Sequence, residues 1–126
     1  MLSDKERAIL LLLFKDFSVS YNARSMSGNV GMTPRGALKA LKKLERRGFV
    51  IAKPFGRAIG YELNFSSGLA KKSLELFLLE EAELKHRRWL AEFGGLTEAH
   101  IVVLFGSAAR KEKGYNDIDL VIVVTR

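Results

Sequence analysis

The sequence predicts an α+β fold in three consecutive stretches, residues 1–65, 66–95 and 96–126. Three observations predict it. Apolar residues recur at helical spacing through residues 4–47, with a capping residue ahead of each stretch, and then give way to two short runs of strand character around a glycine-bearing loop. A single long helical stretch, residues 68–93, follows. Beyond it, two apolar strands enclose a Gly-Ser turn and an Asp-x-Asp pair.

The first stretch opens with Ser3 as an N-cap and Glu6 three residues on, the spacing of a capping box. Ile9, Leu10, Leu13, Phe14 and Phe17 then form one apolar stripe, which predicts a helix over 4–17. Ser18 or Ser20 caps a second, short helix ending near Val30, where Gly31 suits a positive φ. Thr33-Pro34 is a strong third start, a hydroxyl cap followed by proline at the first helical position. That helix runs to about Arg47 and stops at Gly48, with Ala37, Leu38, Leu41 and Leu44 facing inward. Arg35, Lys39, Lys42 and Arg46 share its opposite face, flanked by Lys43 and Arg47. Residues 49–53 and 61–65 read as strands around a loop over 54–60. Ser66 or Ser67 caps the long helix, about 39 Å at 1.5 Å per residue, and Gly94-Gly95 ends it. A strand over 100–105, a short helix over 108–113 and a strand over 118–124 complete the chain.

Composition narrows the function. The 126 residues fit one domain or two very small ones, and 48% hydrophobic with 28% charged residues is ordinary for a packed chain rather than a disordered one. The absence of cysteine excludes a disulfide framework, a cysteine zinc finger and a thiol nucleophile. The longest apolar run, residues 8–14, falls short of the roughly 18 residues of a membrane helix. Met1-Leu2-Ser3-Asp4 lacks the basic segment of a secretory signal, so the expected compartment is the cytoplasm. The first 65 residues hold 12 Lys and Arg against 5 Asp and Glu, and the other 61 hold 9 of each, so the entire excess of +7 sits in the first stretch. A basic half joined to a neutral half points to a polyanionic partner.

Helix, helix, basic helix and hairpin, with Leu38, Leu41, Leu44, Glu45, Gly48, Phe49 and Val50 at their observed spacing, resemble a winged helix-turn-helix domain of the MarR- and ArsR-like kind found in small prokaryotic regulators. The resemblance implies a recognition helix over TPRGALKALKKLERRG and a wing after it. A helix of that size fits the major groove, and its outward cations meet phosphates at the groove edges. Arg35, near the helix start, is placed to read a base edge, and bidentate arginine-to-guanine contact is the commonest specific pairing. Lys39, Lys42, Lys43, Arg46 and Arg47 suit phosphate contacts, which position without reading sequence. Arg57, at the wing tip, suits a minor groove. The plainer reading is a solvated basic face, or a protein-interaction module.

The last 26 residues carry a second pattern. Gly106 allows close backbone approach, Ser107 and the N–H groups of a helix start suit phosphate, and Asp117 and Asp119 point to one face of a strand, where they suit a divalent cation. Gly-Ser, Ala-Arg and then Asp-x-Asp in an apolar strand resemble the signature of DNA polymerase beta-like nucleotidyltransferases, in particular their minimal members. The resemblance implies that Gly106, Ser107 and Arg110 hold nucleotide phosphates, and that Asp117 and Asp119 hold Mg²⁺ with an NTP as substrate or effector. Asn116 stands where the family commonly has serine. The third carboxylate that the family uses as base and metal ligand is missing: nothing after Asp119 is acidic, and Glu98 and Glu112 lie outside its position. A piece of a longer protein, a naturally short remnant that no longer catalyses, and a sheet completed by a second copy through strand 118–124 are the open explanations.

His86 and His100 lack acidic partners at ligand spacing; His86 reads as a solvated helix residue, His100 as a strand-start residue, and Trp89 as a packing anchor of the long helix. The expected function is a cytoplasmic DNA-binding transcription regulator, a homodimer through the long helix on double-stranded DNA, carrying an incomplete nucleotidyltransferase-like module. The alternative is a nucleotidyltransferase acting from Mg-NTP on a hydroxyl acceptor, with the basic half locating the substrate. A non-catalytic interaction module is the third reading.

Overall fold

Side-chain caps fix where the first helices begin. The computed structural model describes residues 1–111 and 113–124. In it α1 (Asp4–Lys15), α2 (Ala23–Val30), α3 (Pro34–Arg46), β1 (Val50–Phe55), β2 (Ala58–Leu63) and α4 (Gly68–Lys85) are followed by α5 (Arg87–Thr97), β3 (Ile101–Phe105), α6 (Ser107–Arg110) and β4 (Asp119–Val123). Ser3 Oγ accepts the Glu6 N–H at 3.2 Å and Glu6 accepts the Ser3 N–H at 2.9 Å, the reciprocal capping box the sequence predicts. α2 is capped by Asn22 rather than Ser18 or Ser20: Asn22 Oδ1 accepts the Ser25 N–H at 2.8 Å, and Ser25 Oγ accepts the Asn22 N–H at 3.0 Å. The start moves because Tyr21 bridges to Tyr61, whose N–H donates to the Tyr21 carbonyl at 2.8 Å, so the chain ahead of Asn22 lies along the hairpin. Gly31 closes α2 at φ 61°. Thr33 caps α3 through the Gly36 N–H with Pro34 in the first turn, and Ser67 accepts the Ala70 N–H at the start of α4.

The chain divides into two compact units, Met1–Leu78 and Leu79–Arg126. The first unit has one apolar core. Ile9, Leu10 and Leu13 of α1, Met26 and Val30 of α2, Ala40, Leu41 and Leu44 of α3, Phe49, Val50, Tyr61 and Leu63 of the hairpin, and Ala70, Leu74 and Phe77 of α4 are all buried in it. Three residues of the predicted inward stripes are turned out. α1 ends at Lys15, before Phe17, and both Phe14 and Phe17 are exposed. On α3, Ala40 takes the core position and Leu38 is exposed.

The hairpin is longer and tighter than the sequence suggests. β1 and β2 pair antiparallel from Val50↔Leu63 to Phe55↔Ala58, leaving Gly56-Arg57 as the turn. Gly56 has φ 62°, the positive value that the first position of a type II′ turn requires. Pro54 stays within β1, which a ribbon with an open edge tolerates.

The predicted single helix over 68–93 is two helices. His86, at φ −125° and ψ 25°, leaves the helical region and separates α4 from α5. Gly94-Gly95 do not end the second one, which continues to Thr97; glycine inside a helix costs about 1 kcal/mol relative to alanine and does not by itself stop it. In the second unit Trp89 stacks on Phe93 at 5.9 Å and tilts against Tyr115 at 5.8 Å, a packing role. β3 and β4 pair antiparallel from Ile101↔Val123 to Phe105↔Asp119. α6 covers only Ser107–Arg110 of the predicted 108–113, and Glu112 lies outside the described residues. Ala108 is the one buried residue of this unit among those described. No helix among the described residues is long and apolar enough to cross a membrane.

The split between Leu38 and Leu41 is measurable. Leu41→Ala is expected to lower unfolding free energy by about 2–5 kcal/mol, as a fully buried leucine does. Leu38→Ala is expected to change it by no more than about 0.5 kcal/mol. Urea denaturation followed by circular dichroism checks both.

Candidate nucleic-acid interface and the Gly-Ser turn

α3 owes its two-faced character to its sequence. Ala37, Ala40, Leu41 and Leu44 hold it on the core, and the intervening positions place Arg35, Lys39, Lys42 and Arg46 in solvent along the opposite side. Arg35 lies in the first turn of the helix. Arg57 is exposed in the Gly56-Arg57 turn at the hairpin tip.

The two flanking cations differ from these. Lys43 Nζ lies 2.8 Å from Glu6 Oε1, and the Glu6 side chain is only 5% exposed. The Arg47 guanidinium lies over the Phe49 ring, 5.3 Å from its centroid. The sequence suits both to phosphate contact; in the fold both have partners. Burial alone would raise the Glu6 carboxyl; the Lys43 hydrogen bond, the Ser3 N–H and the charges of Lys43 and Arg47 outweigh it and hold the group below the ordinary glutamate value. The Glu6–Lys43 contact is what the sequence conceals. The capping-box position of Glu6 is legible, but its partner is 37 positions away.

Other ionisable groups brace the hairpin. Tyr21 donates its hydroxyl proton to Asp16, which raises the tyrosine's pKa. Tyr61 is raised chiefly by burial. Lys53 and Glu62 pair across the strands in solvent, where such a pair contributes little.

In the second unit the hairpin register brings the Gly-Ser turn to the second aspartate. Phe105 pairs with Asp119, so the Asp119 carboxylate lies against Gly106. Gly106 has φ 75° and ψ −155°, backbone that a side chain rarely adopts, and a Cβ there would collide with the Asp119 carboxylate. Ser107 is half-buried at the start of α6, Arg110 is exposed at its end, and Asp117 is exposed and lies ahead of β4 rather than on one strand face with Asp119, because the pairing with β3 begins only at Asp119. Asp117, Asp119 and the Ser107 hydroxyl are hard oxygen donors of the type Mg²⁺ takes. Glu98 sits at the C-cap of α5, and among the described residues no three His, Cys, Asp or Glu side chains gather to hold a metal.

No protein-family model matches the sequence, and no curated protein matches it. Solved structures do match its fold. The adhesin competence repressor AdcR of Streptococcus pyogenes is 20% identical, with a TM-score of 0.57 over 73% of this chain and 68% of that one. A homodimeric winged helix-turn-helix DNA-binding domain from Mycobacterium bovis, of a possible ArsR-family transcriptional regulator, is 20% identical, with a TM-score of 0.52 over 67% of this chain and 74% of that one. A Staphylococcus aureus MepR variant bound to an oligodeoxyribonucleotide is 16% identical, with a TM-score of 0.55 over 77% and 76%. The chain therefore carries the winged helix-turn-helix fold, with β1 and β2 as its wing.

Because Glu6 titrates below the unfolded value of about 4.3, the folded state binds fewer protons than the unfolded chain as pH falls through that range. Its stabilisation is complete above that value and is lost on acidification through the folded pKa. Urea midpoints are expected to fall on acidification below pH about 4.3, and to fall less steeply in Glu6→Gln.

Proposed function

We propose that this protein is a transcription regulator that binds duplex DNA as a homodimer, entering the major groove with α3 and flanking it with the wing. The observation that carries the reading is the row of exposed cations, Arg35, Lys39, Lys42 and Arg46, on the solvent face of α3 in a winged helix-turn-helix fold. Arg35, at the start of α3, is the base reader, Lys39, Lys42 and Arg46 meet phosphates, and Arg57 reaches toward the minor groove. The oligodeoxyribonucleotide on the MepR variant and the homodimeric state of the mycobacterial domain support the mode of binding and the dimer. Two copies would set the spacing of two half-sites.

For the second unit the reading is an effector site of the nucleotidyltransferase-like kind. Asp117 and Asp119 would hold Mg²⁺, and Ser107, Arg110 and the backbone at Gly106 would hold the phosphates of an NTP. The bound cation would neutralise phosphate charge beside the two carboxylates. The contact between Gly106 and Asp119 favours this reading, because it keeps the turn and the carboxylate side by side with no side chain between them.

Fluorescence anisotropy on duplex DNA tests the first reading. Three phosphate contacts from each protomer, six on the dimer, are expected to cost about 2000-fold in affinity between about 50 and 200 mM salt. Replacing Arg35, Lys39, Lys42 and Arg46 by Ala should remove most of that dependence. Undetectable binding at low salt, or indifference to those four positions, rejects it.

Mg²⁺-dependent binding of a fluorescent ATP analogue tests the second. Asp117→Asn with Asp119→Asn is expected to abolish it. Equal affinity in the double variant refutes the metal-nucleotide site.

A further inference from the structure

The Glu6 carboxylate presents its two oxygens to two different helices. Oε2 accepts the Ser3 N–H at 2.9 Å and completes the cap of α1, while Oε1 meets Lys43 Nζ of α3 at 2.8 Å. Glu6 is almost fully buried, whereas Lys43 is half-exposed. A buried carboxylate that loses its cation is left as an uncompensated charge, so Lys43 cannot leave for a phosphate without cost to the fold.

Helical geometry separates Lys43 from the outward row. At about 100° per residue, Arg35, Lys39, Lys42 and Arg46 fall within about 60° of one another, and Lys43 lies about 70° from their centre on the flank. Arg47 lies further round the same flank, over Phe49.

We infer that Glu6 is a positioning residue of the DNA-binding surface: it withdraws Lys43 from the phosphate-facing set and, through the same ion pair, fixes α3 on α1. The inference rests on the DNA-binding reading. It makes the count of phosphate contacts depend on an acidic residue that touches no DNA.

A double-mutant cycle tests it by the salt dependence of duplex binding, with circular dichroism confirming the fold of each variant. Lys43→Gln keeps a hydrogen-bond donor for Glu6 and removes the charge. In the wild-type background it is expected to leave the salt dependence unchanged. Glu6→Gln frees Lys43 and should steepen it, adding about 12-fold to the affinity lost between about 50 and 200 mM salt, the contribution of two further phosphate contacts, one from each protomer. The variant carrying both changes should return to the wild-type dependence. A role for the pair in folding alone would move the melting temperature and leave all four salt dependences alike, which overturns the inference. A shallower dependence for Lys43→Gln in the wild-type background, or additive effects of the two changes, also overturns it. If Glu6→Gln does not fold, Glu6→Ala, which leaves no polar group buried at that position, takes its place in the cycle with the same expected outcomes. No salt-dependent binding by the wild-type chain would overturn the DNA-binding reading and this inference together, and that arm is visible before any variant is made.

Discussion

Glu6 answers two demands with one carboxylate, and the residues beside it on the first turn of α1 each reach a different helix. Lys5 donates to the Val30 and Gly31 carbonyls at 2.7 and 3.1 Å, closing α2 with a cation at its negative end. Glu6 takes Lys43 of α3. The Arg7 guanidinium lies 4.9 Å from the centroid of the Phe77 ring of α4. Three consecutive side chains thus tie α1 to the three other helices of the first unit. A buried ion pair need not stabilise a fold more than a well-packed apolar pair would. What it supplies here is direction: a carboxylate and an ammonium at hydrogen-bond distance fix the rotation of α3, and with it the face that carries Arg35, Lys39, Lys42 and Arg46.

The two units are built on different physics. In the first, Phe49, Ile9, Leu10, Met26, Leu41 and Leu44 are almost wholly removed from water, and the hairpin is held to the helices by the Tyr21–Tyr61 bridge. In the second, Ile101, Val103, Phe105, Val121 and Val123 are exposed on a two-stranded ribbon. Such a ribbon is marginal when it stands alone. The geometry of the Gly-Ser turn therefore depends on local terms: the pairing of Phe105 with Asp119, the backbone of Gly106, and the stack of Trp89 on Phe93 with Tyr115 beside it.

What could be read from the sequence divides along the same line between local and distant. Ser3 with Glu6, Thr33 with Pro34, and the glycines at 31 and 48 act within a few residues, and the helix ends they mark stand where expected, give or take a residue or two. The two strands of the second unit were legible from their apolar runs, but not their pairing with each other. The outliers have distant causes. Asn22 displaced the serines because Tyr21 pairs with a residue 40 positions on. Leu38 and Ala40 exchanged roles because both fit helical spacing, and only the packing of α3 on its neighbours separates them. The break at His86 carries no proline or glycine to announce it, while Gly94 and Gly95 lie inside α5. For the candidate sites, residue types and spacing were visible; the attachment of Lys43 to Glu6 and of Asp119 to Gly106 was not, since both join separate elements.

The basic excess of the first 65 residues takes a different meaning once its members are placed. Lys5 closes a helix, Arg7 lies on Phe77, Lys43 holds Glu6, Arg47 covers Phe49 and Lys53 pairs with Glu62. The first four hold the unit together, and Lys53 is occupied by its pair in solvent. Those of the α3 face and the wing tip project into solvent on the elements that a winged helix presents outward. Charge counted along the chain therefore overstates the field available to a partner. The surface that remains is narrower than the composition suggests and is directed along one helix face. Its direction is set from beneath by an acidic residue of the first helical turn.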